Sequence, residues 1–177
     1  MNQKTAITIL AHWDKRGRYI FTLNDLSKLF SEDKPKTLQE GVNRLIKNGL
    51  LVRACRGIYL YAFTNNRDVN TLETIAKTLR RGEYSYVSLE SALSEYGAIS
   101  QIPIDRLTVM TTGRKGEYKT PYGVIEFTHT KRSVSDILNN VLNVNRPLRL
   151  AKVNTAWRDL KRVGRNIHLV NMEAIDD

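Results

Sequence analysis

Three groups of residues in this chain have types and spacings that could do chemistry. The first lies within one short stretch: Lys36, Gln39, Asn43, Arg44 and Lys47. An Arg guanidinium can bond two acceptors on a guanine edge at once, and an Asn or Gln amide can do the same on adenine. Lys is a point charge that suits a phosphate. The second group is Arg53 and Arg56, three residues apart at the kink of "NGLLVRACRGIYLY", Asn48 to Tyr61. Two cations at the tip of a hairpin that packs against nothing have a use if phosphates come to them. The third group is acidic. Asp105 follows Pro103 and Ile104, and Glu117-Tyr118-Lys119 comes soon after. Two carboxylates that converge on one divalent ion, with a Lys beside the scissile phosphate, are what a metal-dependent nuclease of the restriction type uses.

That third pattern is the weakest of the three. Such nucleases hold Glu-X-Lys on a central strand. Here Glu117 and Lys119 follow "TTGRKG" and precede "TPYG", which reads as an exposed turn, and Ile104 separates Pro103 from Asp105. Turn-forming polar residues explain the stretch as well as a metal centre does. His12, His129 and His168 are far apart and lack metal-ligand spacing. There is no Gly-rich phosphate loop or dinucleotide fingerprint. Ser88 and Ser91 read as cap and helix-surface residues, not as nucleophiles. The expectation is a chain that is not an enzyme, with no catalytic residue, metal or cofactor.

Charge points the same way as the donors. The 177 residues carry 28 Lys/Arg against 18 Asp/Glu, a net of +10. An excess of that size favours a polyanion, either nucleic acid or an anionic membrane surface. The excess is uneven. Residues 1–65 carry a net +6, residues 66–130 none and residues 131–177 +4. The single cysteine, Cys55, allows no internal disulfide and fits a reducing compartment. "AITILA" is too short for a signal h-region, and no run approaches the roughly 20 apolar residues that span a bilayer. A cytoplasmic location without a membrane partner is expected.

The elements that must position these residues can be read from periodicity. Ile7, Leu10 and Ala11 share a helical face that ends near Gly17. "RYIF" reads as a brief strand. Thr22 and Asp25 make a capping-box-like pair before "LNDLSKLF". Pro35 stands just ahead of a third helix over about 36–48, with Leu38, Val42, Leu45 and Ile46 on its inner face. Lys36, Glu40, Asn43, Arg44 and Lys47 fall opposite, and Gly49 supplies the stop. Two strands around the Arg53/Arg56 kink complete the order helix, helix, helix, two-stranded wing. That is the order of a winged helix-turn-helix, which lays its third helix in the major groove and its wing on the neighbouring backbone.

The polar run Thr64 to Asn70 reads as a linker. Beyond it, "NTLETIAKTLRR" and "LESALSEYG" are amphipathic helices, the second opened by Ser88. "DRLTVMTT" and "VIEFTHT" read as an antiparallel pair joined by "GRKGEYKTPYG". A helix capped by Ser133 follows, and another is expected from Pro147, with Leu150, Val153, Trp157 and Leu160 inward. Its surroundings are basic: Arg146, Arg149, Lys152, Arg158, Lys161, Arg162 and Arg165. These cations fit long side chains snorkelling over a core, a phosphate contact or a dock for an acidic partner. The expected fold class is α+β: a winged helix-turn-helix over residues 1–63, then a small α+β domain over 70–177 with antiparallel strands and C-terminal helices.

Taken in order, Arg56-Gly57-Ile58-Tyr59, Ser88 to Leu93, Gly97, Pro103 and Arg114-Lys115 resemble the AbiEi-type antitoxins and transcriptional regulators. The resemblance spans roughly residues 1–130. It implies the antitoxin of a type IV toxin–antitoxin pair: a repressor whose winged helix binds operator repeats on double-stranded DNA and autoregulates its operon. It also implies a second domain that counters a nucleotidyltransferase-like toxin. The DNA-binding residues would then be Lys36, Gln39, Asn43, Arg44, Lys47, Arg53 and Arg56. A winged helix that binds protein, with the basic tail docking an acidic partner, is the alternative.

Overall fold

The computed structural model describes residues 1–100 and 105–176. The chain divides into two compact units, Met1–Thr71 and Leu72–Asp177, and the architecture is mixed α+β.

The first unit begins with α1 (Gln3–Asp14), whose N-cap Asn2 accepts from the Thr5 amide. Ala6, Leu10 and Asp14 are its buried stripe. Ile7, expected inward, is 37% exposed: the buried face is rotated by one residue, onto Ala6. β1 (Ile20–Thr22) leads directly into α2 (Leu23–Leu29). The capping box read from the sequence is present. Thr22 Oγ1 accepts from the Asp25 amide at 3.0 Å, and the Asp25 carboxylate accepts from the Thr22 amide at 2.9 Å. α3 (Pro35–Lys47) carries Pro in its first turn, where the missing N–H would have had no helical partner. It buries Leu38, Gly41, Val42 and Leu45.

β2 (Leu51–Cys55) and β3 (Ile58–Tyr61) form the hairpin. β3 is the central strand of a three-stranded sheet of order β1-β3-β2, antiparallel to both neighbours. That position explains why all four of its residues are buried. The register shifts between Arg53 and Cys55, and Gly57 sits at φ +81°, a backbone a side chain resists. The bulge and the glycine together kink the hairpin where the two arginines stand.

The second unit is built on a six-stranded sheet of order β6-β7-β5-β4-β9-β8. Its elements in chain order are α4 (Thr71–Leu79), β4 (Ser85–Val87), α5 (Leu89–Glu95), β5 (Arg106–Thr111), β6 (Gly116–Thr120), β7 (Gly123–His129), α6 (Val134–Asn139), β8 (Val141–Leu142), β9 (Arg149–Ala151), α7 (Val153–Val163) and α8 (Glu173–Asp176). β5 and β7, expected as an antiparallel pair, are parallel neighbours. The segment expected to be their connecting turn contains an edge strand, β6, antiparallel to β7. The tight β6–β7 hairpin reverses the chain, so β7 runs the same way as β5. Gly123 makes this possible: at φ +134°, a Cβ there would stand 2.5 Å from the Asp105 carbonyl. The expected helix from Pro147 also needs correction. Arg149–Ala151 is strand β9, parallel to β4, and the helix begins at Val153. Leu150 kept helical spacing with Val153 while belonging to the sheet.

Candidate nucleic-acid interface

On α3 the buried residues Leu38, Gly41, Val42 and Leu45 fix which face is turned outward. At 100° per residue, Lys36, Glu40, Asn43 and Lys47 lie opposite them, and all four are exposed. Gln39 and Arg44 fall on the two flanks of this face. Gln39 Nε2 donates to Asn43 Oδ1 at 3.2 Å, one turn along. Arg44 Nη2 donates to the Met1 carbonyl at 2.7 Å, though the residue stays exposed.

The Met1 contact is a feature the sequence reading missed. The Met1 side chain lies on Gly41, where an added Cβ would meet its methyl carbon at 3.0 Å. Next to it, Asn48 Nδ2 donates to Gln3 Oε1 at 2.9 Å. The start of α1 is thereby seated on one flank of α3, and Arg44 is drawn toward it. A glycine inside an amphipathic helix was the available signal, since it marks a close approach.

In the hairpin, Arg53 and Arg56 are both exposed, while Ala54 between them is buried. Strand alternation accounts for Arg53, and the turn accounts for Arg56. Burial pushes the Cys55 thiol above its ordinary range, and the opposing pull of Arg53 is smaller. Cys55 therefore stays a protonated filler beside the kink.

The basic positions of the second unit behave differently. Arg132 faces Asp159 at 3.4 Å and Asp136 at 3.6 Å. Arg146 reaches Glu73 at 3.3 Å and Glu95 at 2.9 Å, and Arg158 reaches Asp136 at 3.6 Å. Arg165 clamps Glu90 at 2.6 Å and also bonds Glu126. Hydrogen bonds donated to Glu90 raise the Arg165 pKa further above its already high range. Burial pushes the Glu90 carboxyl up, but the bonds and charge of Arg165, a backbone amide bond and the Asn166 bond together hold the group below its ordinary value. Lys152 Nζ donates to the Asn139 carbonyl at 2.9 Å, and Lys161 stands over the Trp157 ring at 5.2 Å. Much of the C-terminal charge is thus spent inside the unit.

The motif from Ser88 to Leu93 ties α5 to its surroundings. Ser88 Oγ donates to Asp159 at 2.8 Å, where Tyr86 Oη also donates at 2.9 Å. Ser91 Oγ donates to the Arg106 carbonyl and accepts from the Thr108 amide. Ser88 is fully buried, so its hydroxyl is a structural tie.

The acidic candidates are not gathered as a metal centre would require. Glu117 lies on edge strand β6 and faces Arg106 at 3.3 Å. Lys119 is on the same strand and Asp105 is exposed; Pro103 and Ile104 lie outside the described residues. Among the described residues no group of three His, Cys, Asp or Glu side chains could hold a metal ion. Among them, too, no helix is long and apolar enough to cross a membrane.

Residues 9–62 match the sequence model of a family described as "Transcriptional regulator, AbiEi antitoxin". The match covers the second half of α1, β1, α2, α3 and both hairpin strands. The crystal structure of the RV2827C protein from Mycobacterium tuberculosis is similar in fold, with a TM-score of 0.59 and 12% identity over 99% of this chain and 71% of that one. No curated protein matches the chain.

Proposed function

From the match of residues 9–62 to the AbiEi regulators, we propose that this chain is a sequence-specific DNA-binding repressor and the antitoxin of a type IV, AbiE-like pair. In this reading the first unit is a winged helix-turn-helix. α3 enters the major groove, and Asn43, held by Gln39, reads a purine edge. Lys36 and Lys47 flank it on phosphates, and Arg53 and Arg56 reach the adjoining backbone from the wing. Glu40 accepts from a cytosine amino group or points past the duplex. Arg44, drawn to Met1, orients the start of α1 and contacts the backbone more than a base. The second unit is the partner domain that counters a nucleotidyltransferase-like toxin.

One observation carries the DNA reading. A single 71-residue unit exposes an amide-and-lysine helix face together with a kinked hairpin bearing two exposed arginines. The test is a mobility shift on the DNA upstream of the chain's own gene, beside random duplex, over a range of salt. Alanine at Arg53 or Arg56 is expected to weaken both duplexes alike and to lower the salt slope by about one unit per contact. Asn43→Ala is expected to cost about 1–3 kcal/mol on the upstream DNA alone. Arg44→Ala should weaken both without relaxing specificity. Equal losses on both duplexes from Asn43→Ala would remove the base-reading role, and no shift on either would remove DNA binding.

A further inference from the structure

A cleft of about 210 Å³ opens in the second unit between the end of α4, the starts of β4 and β9, and α6. One side is apolar, formed by Ile137, Leu138 and Val141. Ile137 and Val141 are buried, yet Leu138 is left 42% exposed. The lining also includes three basic residues, Lys77, Arg80 and Arg149, against one carboxylate, Glu83. Glu83 accepts from Thr112 Oγ1 at 2.5 Å and keeps its charge, which leaves an excess of cations in the lining.

The three cations stand out against their neighbours. Arg106, Arg132, Arg146, Arg158 and Arg165 each face a carboxylate within the unit. Among the described residues, no ion pair forms at Lys77, Arg80 or Arg149. Arg80 is only 6% exposed. Its Nε and Nη1 donate to the carbonyls of Arg114 and Leu79 and to Tyr118 Oη, and its guanidinium carbon lies 4.2 Å from the Phe127 ring centroid. Its Nη2 is buried with no hydrogen-bond partner among the described residues. These neutral partners turn the guanidinium toward β6 and β7, so the exposed cations at the cleft are Lys77 and Arg149.

We propose that this cleft binds a small amphiphilic anion, a carboxylate or phosphate on an apolar body of about one aromatic ring. The anionic group lies between Lys77 and Arg149. The apolar body covers Leu138 and rests on Ile137 and Val141. The volume exceeds what one ring fills, and the mixture of an apolar wall with a few convergent polar groups is how small-molecule sites are built. A regulator that carries such a site has a means of responding to a metabolite, and this proposal does not depend on the DNA reading.

The experiment is a heteronuclear NMR titration of the full chain with 3-phenylpropionate. Neutral 3-phenylpropanamide and plain propionate serve as controls. Saturable shifts at the amides of Lys77, Ser85, Leu138 and Arg149 are expected, with a Kd of about 1 mM. Both controls should bind about tenfold more weakly, since each lacks half of the recognition. Lys77→Met and Arg149→Leu should each weaken 3-phenylpropionate about tenfold, while Lys115→Met, outside the cleft, leaves it unchanged. The spectra themselves report whether each variant is folded. Equal binding of the neutral amide, indifference to both cleft variants, or no saturable shift at these amides would overturn the site. Tighter binding of acetyl-Asp-Leu-amide than of 3-phenylpropionate would overturn the small-molecule assignment in favour of a polypeptide carboxylate.

Discussion

Asp14 ends α1 with its carboxylate buried, and three groups from one segment converge on it. Thr64 Oγ1 and Asn66 Nδ2 donate to Oδ1, and the Asn65 amide donates to Oδ2. Asn66 Nδ2 also donates to the Asp14 carbonyl at 2.6 Å. The polar run that reads as a linker is therefore fastened at its start to α1. Burial pushes the Asp14 carboxyl up, but the bonds from Thr64, Asn66 and Asn65 together hold it below its ordinary 3.8. A carboxylate depressed on folding adds stability that is fully present above the unfolded value. That stability is lost as pH falls through the folded value. Asp14→Asn should therefore lower the stability of the first unit by about 1–3 kcal/mol at pH 7, the usual loss for charged hydrogen bonds. The gap between parent and variant should close as pH drops below about 4. Urea midpoints followed by Trp13 fluorescence in a Trp157→Phe background, from pH 7 to pH 3, measure it. A gap that stays constant over that range would mean the carboxylate charge is not what fastens the segment.

At the scale of elements, what the sequence made legible was what neighbours within four residues decide. Thr22 and Asp25 read as a capping box, and both bonds are there, because the motif is complete within one turn. Replacing Thr22 by Ala should cost about 1 kcal/mol, seen as a lower urea midpoint with an unchanged slope. No change would show that the β1 pairing alone holds the start of α2. The α3 face was legible for the same reason: its inner stripe repeats every three or four residues. β8 and β9 were not legible. They are two and three residues long, and their existence depends on partners such as Tyr86, far back in the chain. Ser88 read as a helix cap, but its hydroxyl goes to Asp159, 71 residues on. Local pattern carries no record of a bond that long. The same holds for Arg44, whose outward spacing on α3 gave no sign of Met1.

At the scale of the whole chain, the uneven charge acquires a physical meaning. The neutral middle and the basic tail read as separate regions, yet Glu73, Glu90, Glu95 and Glu126 of the middle pair with Arg146 and Arg165 of the tail. The two stretches make one unit, and their charges largely cancel inside it. In the first unit, α3 and the hairpin show Lys36, Lys47, Arg53 and Arg56 to solvent. Each unit has its own core: Leu10, Phe21, Leu45 and Leu60 in one, Tyr86, Leu93, Ile125 and Leu160 in the other. The chain also has two tryptophans, Trp13 and Trp157, one in each unit. Single-tryptophan variants, Trp157→Phe and Trp13→Phe, would report on the units separately. The smaller unit buries a smaller fraction of its surface and should unfold first in urea. Its slope should also be shallower, since the slope scales with the surface exposed on unfolding. Superimposed transitions with one common slope would instead show a single cooperative block, and the pH test on Asp14 would then report on the entire chain.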